Sequence, residues 1–186
     1  MRFDSLRAKT WLRPYRICTT NRIGMIWMEL PKRKNLRLPD FDYASNGAYY
    51  VTVCTQNQLH LFGRINPNSK SILYNDAGKM VLQWLSKIEE KYHGVYLDCS
   101  VVMPNHIHLI LFLEEATNSL SDIMKWFKSQ TTNEYIRGVK EGKYPPFQNR
   151  IWQRDYYEHV IRSDSECNQV RQYITYNTEK WYSVCE

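Results

Sequence analysis

His106 and His108 are separated by a single residue in the run His106-Ile107-His108-Leu109-Ile110. Alternate side chains of an extended strand share a face, so the two imidazoles point one way and Ile107 the other. Two imidazoles on one face suit a divalent metal. The same spacing also fits an ordinary pair of surface histidines. Near the C-terminus, Tyr173 and Asn177 are four residues apart and share one face of a helix. A tyrosine hydroxyl, with a free pKa of about 10, is a nucleophile only when its surroundings activate it. A metal that polarises a phosphate eases such an attack by offsetting charge in the transition state. The Asn177 amide oxygen, one turn on, is a candidate to complete the coordination. In a chain with 14 tyrosines, a packing role for Tyr173 is the competing reading. A histidine-triad hydrolase would want another alternate histidine, and position 110 is Ile, which argues against that chemistry.

These residues need elements to position them. The β-branched and aromatic run from Ala48 to Thr55 predicts a strand. Residues 56–73, with Gly63 and Pro67, read as a polar loop. Asn75 or Asp76 is placed to cap a helix carrying Met80, Val81, Trp84, Leu85 and Ile88 at helical spacing up to His93, and Gly94 ends it. Val95 to Met103 and His106 to Leu113 read as strands, and the short Pro104-Asn105 turn makes them an antiparallel hairpin. Ser119 or Ser121 opens a second helix, with Leu120, Ile123, Met124, Phe127 and Thr131 on one side, to about Arg137. Trp152 to Ile161 reads as a fourth strand. Ser163, with Glu166 three residues on, is a capping box that opens a last helix. The order β-α-β-β-α-β matches the split βαβ arrangement. The expected fold is therefore α+β and ferredoxin-like: a four-stranded antiparallel sheet with helices on one face, plus a C-terminal helix.

The bulk properties narrow the classes. The 186 residues are 43% hydrophobic and 14% aromatic, enough for a packed core in one ordinary domain. No apolar run approaches the roughly 20 residues of a membrane-spanning helix. The net charge is +6, of which residues 1–27 hold +5, so the remainder is nearly neutral. Any anion-binding face there must come from local clustering. The five scattered cysteines include no Cys-x-x-Cys pair, which points to reduced thiols in a cytoplasmic protein and away from a zinc knuckle. Residues 1–27 read as a basic, disordered leader without a signal peptide. Residues 28–186 read as the folded domain, which the resemblance described below makes the catalytic one, entered through an extended arm over 29–47.

The segment Val101-Val102-Met103-Pro104-Asn105-His106-Ile107-His108-Leu109-Ile110 resembles the HUH signature (His, hydrophobic, His) of single-tyrosine transposases. Trp152-Gln153-Arg154-Asp155-Tyr156-Tyr157-Glu158-His159-Val160-Ile161-Arg162 and Trp126-Phe127-Lys128-Ser129-Gln130-Thr131-Thr132-Asn133 are similar to the same family. Tyr173-Ile174-Thr175-Tyr176-Asn177 looks like its nucleophile helix. The branch most similar is that of the REP-associated tyrosine transposases, over roughly residues 28–181. Where family members often have Pro after the helix asparagine, this chain has Thr178.

The resemblance implies that His106, His108 and Asn177 bind Mg²⁺ or Mn²⁺ and that Tyr173 attacks the scissile phosphate. A 5′-phosphotyrosine and a free 3′-hydroxyl result, and rejoining is the reverse attack. That cycle needs no external energy source, in keeping with a chain that has no Gly-rich phosphate loop. The implied partner is single-stranded or hairpin DNA of repeated palindromic elements, handled by a monomer or a homodimer. Lys128, Arg154 and Arg162 are candidate phosphate contacts, with solvated surface charge as the alternative. His159 is a candidate for the site or the DNA, or else structural. Tyr156 and Tyr157, on the fourth strand, are rival nucleophiles, one of them expected in the core. Tyr49, Trp126 and Trp152 are candidates to stack on bases, or core residues. His60 and His93 read as ordinary loop and helix-end residues. A non-catalytic hairpin binder on the same fold and a phosphodiesterase using water remain as alternatives. A chain beginning at Met28 is expected to unfold as cooperatively in urea as the full chain; a broadened transition would contradict the leader assignment.

Overall fold

The computed structural model describes residues 46–178 and Trp181. All of these belong to the compact unit Asn35–Glu186, and the expected leader and most of the extended arm lie outside the described residues. β1 is Gly47–Cys54; a short 3-10 turn, Gln56–Gln58, leads to the small strands β2, Gly63–Ile65, and β3, Ile72–Tyr74. Then follow α1, Asp76–Lys91, and the strands β4, Val95–Met103, and β5, His106–Leu113. The chain continues through α2, Leu120–Lys140, β6, Tyr157–Ile161, and α3, Asp164–Thr175. The main sheet has the order β4-β5-β1-β6 with every pair antiparallel, which is the ferredoxin-like arrangement. Among the described residues no helix is long and apolar enough to cross a membrane.

The two faces of the sheet are covered differently. Tyr49, Val51 and Val53 of β1 and Ile107, Leu109, Leu111 and Leu113 of β5 point to the face packed by α1 and α2, where the main core lies. The opposite face takes Tyr50 from β1, Ile110 and Phe112 from β5, and Ile161 from β6, beneath Cys167 and Ile174 of α3. Asn75 caps α1 by accepting from the Gly78 amide. Ser119 and Asp122 close a reciprocal capping box on α2. At α3, Ser163 accepts from the Glu166 amide, but the Glu166 carboxylate reaches the Arg162 amide and His159 in place of the cap's own amide.

A bulge governs β4. The pairing with β5 shifts between Leu97 and Cys99, leaving Asp98 as the extra residue. Before the bulge, Val95 and Leu97 pack on the main core; after it, Cys99 and Val101 pack on the opposite face. The bulge thus inverts the phase of the strand, so that one strand serves both layers.

Two segments differ from expectation. Residues 56–73 contain the β2–β3 hairpin, whose strands of three residues each are too short to show alternation. Gly63 permits it, because its φ is +142° and a Cβ there would lie 2.4 Å from the Leu73 carbonyl oxygen. The fourth strand begins at Tyr157 and not at Trp152, because residues 152–156 are tied elsewhere. Trp152 makes a single bridge to Thr55, and the Gln153 amide donates to the Cys54 carbonyl. The indole N–H of Trp152 donates to Thr131 Oγ1 at 2.9 Å. The segment therefore crosses the end of β1 before it turns to pair alongside.

Gly94 joins α1 to β4 with φ +73°, and a Cβ there would sit 2.1 Å from the Glu114 carbonyl oxygen. Gly94→Ala should destabilise the fold by about 1–3 kcal/mol through strain and displaced backbone. Urea denaturation measures it, and an unchanged midpoint would contradict the turn's dependence on glycine.

Candidate active site

β5 begins at the Pro104-Asn105 turn, so its first residues lie at one end of the sheet. His106 and His108 project on the α3 face, and their Nε2 atoms are 3.0 Å apart. Asn105 sets the state of His106. Its amide nitrogen donates to the side-chain oxygen of Gln58 at 2.9 Å and lies 3.5 Å from the Gln58 main-chain carbonyl oxygen. Asn105 Oδ1 therefore faces His106 Nδ1 at 2.7 Å, and the ring nitrogen must donate. That leaves His106 Nε2 with its lone pair. His108, 4% exposed, has Tyr50 Oη and Thr52 Oγ1 each 2.8 Å from Nδ1. Burial, with a smaller push from His60, lowers the His106 pKa to about 4. Burial, together with His106, holds His108 well below the ordinary imidazole range. Both rings are neutral at physiological pH, the form that ligates metals.

α3 is fixed over these histidines by an apolar stripe between two polar clamps. Cys167 and Ile174 pack on Ile110 and Ile161. On one side Arg171 grips Asp98 of the β4 bulge with two hydrogen bonds, at 2.7 and 2.6 Å. On the other, His159 Nε2 meets Glu166 Oε1 at 2.7 Å. Burial opposes ionisation of Glu166, but the Arg162 amide and His159 hold its carboxyl below the usual value. The neighbouring row of the helix carries Tyr173 and Asn177. The Tyr173 ring stands edge-on to His108 at 5.4 Å between centroids and to Tyr50 at 6.3 Å. Burial raises the Tyr173 pKa, and a hydrogen bond with Asn177 partly offsets this. Asn177 is 6% exposed.

The structure thus brings His106, His108 and Tyr173 together, with Asn177 hydrogen-bonded to the tyrosine. Lys128 is occupied otherwise: its ammonium donates to the Gln153 and Arg154 carbonyl oxygens at 2.7 Å each, and burial lowers its pKa. Arg154 and Arg162 are exposed. His159 clamps α3. Tyr156 precedes β6 and packs against the main core, whereas Tyr157, on β6, meets Tyr50 at 6.1 Å. Tyr49 and Trp152 are core residues, and Trp126 packs against Trp84 and Tyr92.

Sequence reasoning passed over several residues of the site. Tyr50 and Thr52 lie on the same face of β1 as the histidines, and their positions follow from strand alternation once the register is known. Trp181 stacks on His106 at 5.7 Å and 23°, and meets His60 at 5.6 Å. Its spacing, eight residues after Tyr173, continues the helix row and was a readable signal. Asp98 gave none, since a bulge leaves no pattern in a single sequence.

The donor set fits a divalent cation. His106 Nε2 carries a lone pair beside His108 Nε2, and neighbouring ligands of an octahedron with bonds of about 2.1 Å are also about 3.0 Å apart. Among the described residues no cluster of three His, Cys, Asp or Glu side chains gathers to hold a metal, and the Asn177 amide, hydrogen-bonded to Tyr173, is the further donor expected from the sequence.

The neutral histidines make folding depend on pH. Their folded pKa values lie below the ordinary 6.5, so the folded state binds fewer protons in between. Stability is then fully present above pH 6.5 and is lost as pH falls toward 4, by up to about 1.4 kcal/mol per pH unit for each ring. Urea unfolding in EDTA should show it, and His106→Gln and His108→Gln should each flatten the profile. Equal stability at pH 7.5 and pH 5 in the unsubstituted protein would contradict it.

Comparison with known proteins agrees with the fold. The model of the family described as "Transposase IS200 like" matches residues 53–177. An uncharacterized protein of Haemophilus influenzae is 31% identical over 163 residues, covering 80% of this chain and 89% of that protein. A second H. influenzae protein, provisionally named a REP-associated tyrosine transposase, is 25% identical over 142 residues, covering 75% of this chain and 74% of its own. A solved structure of a REP-associated tyrosine transposase bound to a REP hairpin superposes with a TM-score of 0.53 at 21% identity. It covers 77% of this chain and 74% of that one, and the likeness speaks to the fold. The family match spans about two thirds of the sequence, from β1 to the residue that follows the nucleophile candidate by one turn, and the chain belongs to the IS200-like transposase family.

Proposed function

We propose that this transposase is a metal-dependent DNA nuclease and strand transferase that cuts and rejoins single-stranded or hairpin DNA through a 5′-phosphotyrosine. The observation that carries the reading is the placement of Tyr173 edge-on to His108, whose Nε2 lies 3.0 Å from His106 Nε2. The solved relative bound to a REP hairpin supports hairpin DNA of repeated palindromic elements as the substrate.

His106 and His108 would hold Mg²⁺ or Mn²⁺, with Asn177 as third ligand. Bound there, the cation would polarise the scissile phosphate and offset its growing charge. The chain's own residues do the rest. The Tyr173 phenol is protonated at neutral pH, and burial, outweighing the Asn177 hydrogen bond, raises its pKa further. Attack joins the Tyr173 oxygen to phosphorus and breaks the bond from phosphorus to the 3′ oxygen. The phenol proton is lost, and the departing 3′ oxygen takes one up as a hydroxyl. Rejoining reverses each step, with a 3′-hydroxyl as nucleophile and Tyr173 as leaving group. α3 supplies orientation, since the Asp98–Arg171 and His159–Glu166 clamps flank the apolar stripe beside the tyrosine's row and keep the helix over the sheet. Arg154 and Arg162, exposed on the approach to α3 and before it, are candidates to position phosphates.

Incubation with candidate hairpin DNA and Mn²⁺, followed by a denaturing gel, tests the reading. The unsubstituted protein should give a covalent adduct that EDTA suppresses. Tyr173→Phe should lower adduct formation by at least a thousandfold while DNA affinity stays within about threefold. An adduct that survives in Tyr173→Phe would move the nucleophile elsewhere, and cleavage without any adduct would favour water as nucleophile. Because the Tyr173 pKa is raised, single-turnover cleavage should climb between pH 7 and pH 9.

A further inference from the structure

His108 is held by two hydroxyls whose chemistry is unusual for a histidine ligand. Thr52 stands directly opposite His108 in the β1–β5 ladder, and Tyr50 lies two residues away on the same face. The Tyr50 ring stacks on the imidazole at 5.6 Å and 26°. Both hydroxyls are 2.8 Å from His108 Nδ1, and Thr52, 2% exposed, also hydrogen-bonds Tyr50. One ring nitrogen thus faces two groups that can each donate or accept.

The hydrogen bonds already described dictate what that nitrogen does. Asn105 makes His106 Nδ1 the donor, so His106 Nε2 presents a lone pair to His108 Nε2 at 3.0 Å. Without a cation, His108 Nε2 must carry the proton, or two lone pairs would face each other. Its Nδ1 is then an acceptor, and one of the two hydroxyls donates to it while the other bonds the first. With a cation, His108 Nε2 must offer a lone pair, so Nδ1 carries the proton and a hydroxyl accepts. A carbonyl or carboxylate at this place would serve only the second form. Hydroxyls serve both.

We propose that Tyr50 and Thr52 are positioning residues that hold the His108 ring plane and let its imidazole exchange from the Nε2–H to the Nδ1–H form when a divalent cation binds. The inference rests on reading His106 and His108 as the metal ligands. The exchange balances: Nε2 gives one proton to water, Nδ1 takes one from water, and the ring stays neutral throughout. Tyr50 also touches Tyr173, so the same side chain spaces the nucleophile from the metal ligand. Burial keeps the Tyr50 hydroxyl protonated, which preserves it as a donor.

The test uses full-length protein with ¹⁵N-labelled histidine. In EDTA, long-range ¹H–¹⁵N spectra should show His108 as Nε2–H, and saturating Mg²⁺ should convert it to Nδ1–H. Thr52→Val with Tyr50→Phe should weaken Mn²⁺ binding about 10- to 100-fold in the absence of DNA. Thr52→Ser, which restores the hydroxyl, should bind within about twofold of the unsubstituted protein. Should the double variant not fold, the single Thr52→Val and Thr52→Ser proteins carry the comparison, with at least a threefold difference between them expected. An Nδ1–H ring already present in EDTA, or variants that bind Mn²⁺ normally, would overturn the proposal and leave the nuclease reading intact. A protein that binds no divalent cation and forms no adduct would overturn both.

Discussion

The register between β1 and β5 is the constraint on which the rest of the site depends. Strand side chains alternate with a period of two, so a slip of one residue would exchange the faces completely. His106, His108, Tyr50 and Thr52 would enter the core beneath α1 and α2, and Ile107, Leu109 and Leu111 would be turned out toward α3. Neither layer tolerates that. The main core requires its fully buried aliphatic row, and buried imidazoles without partners are costly. The apolar residues of the odd row thus fix the polar residues of the even row, and the chemistry is positioned by packing that takes no part in it.

A second constraint acts across layers. α3 makes an apolar contact with the sheet through Cys167 and Ile174, with Val170 and Tyr173 beside them. The clamps flanking that stripe supply the rest. Arg171 meets Asp98 in the two-point geometry that defines orientation as well as distance, and Asp98 is available only because β4 bulges there. His159, on the neighbouring strand face, holds Glu166 near the other end of the helix. A long four-layered core would have fixed the helix by burial. Here side-chain hydrogen bonds on either side of the stripe share that task.

Much of this was legible in the sequence, for definite reasons. The helices were readable because their apolar spacing and caps at Asn75, Ser119 and Ser163 agree with one another. The β4–β5 hairpin followed from the two-residue turn. The pairing of His106 with His108 followed from alternation, whereas their meeting with Tyr173 rested on resemblance, because nothing local links residues some 65 apart. The β2–β3 hairpin was too short to carry a pattern. The early part of the expected fourth strand failed because Trp152 is tied to α2 and β1 in place of a ladder, a tertiary preference that local propensity does not encode. Lys128 was legible as a cation but not as one turned inward to two carbonyls. His60, read as a loop residue, lies within ring contact of Trp181, which covers His106.

The electrostatics of the site bear on which chemistry it can support. Among the described residues, Tyr50, Thr52, Asn105, Asn177 and Trp181 lie against His106, His108 or Tyr173 and carry no charge, and burial favours the neutral form of both imidazoles. The guanidinium of Arg171, two residues from the nucleophile candidate, is turned toward Asp98 and largely neutralised there. A phosphodiester brought to Tyr173 would therefore meet hydrogen-bond donors but little positive charge from these groups. Its transition state gathers charge on the phosphoryl oxygens, and an environment that excludes water magnifies the cost of leaving that charge unopposed. On the proposed reading, a cation held by the two neutral histidines would supply that charge. The proposed strand transferase would use two imidazoles held out of their charged form, whereas a protein that only bound a hairpin would gain more from lysine or arginine at these positions.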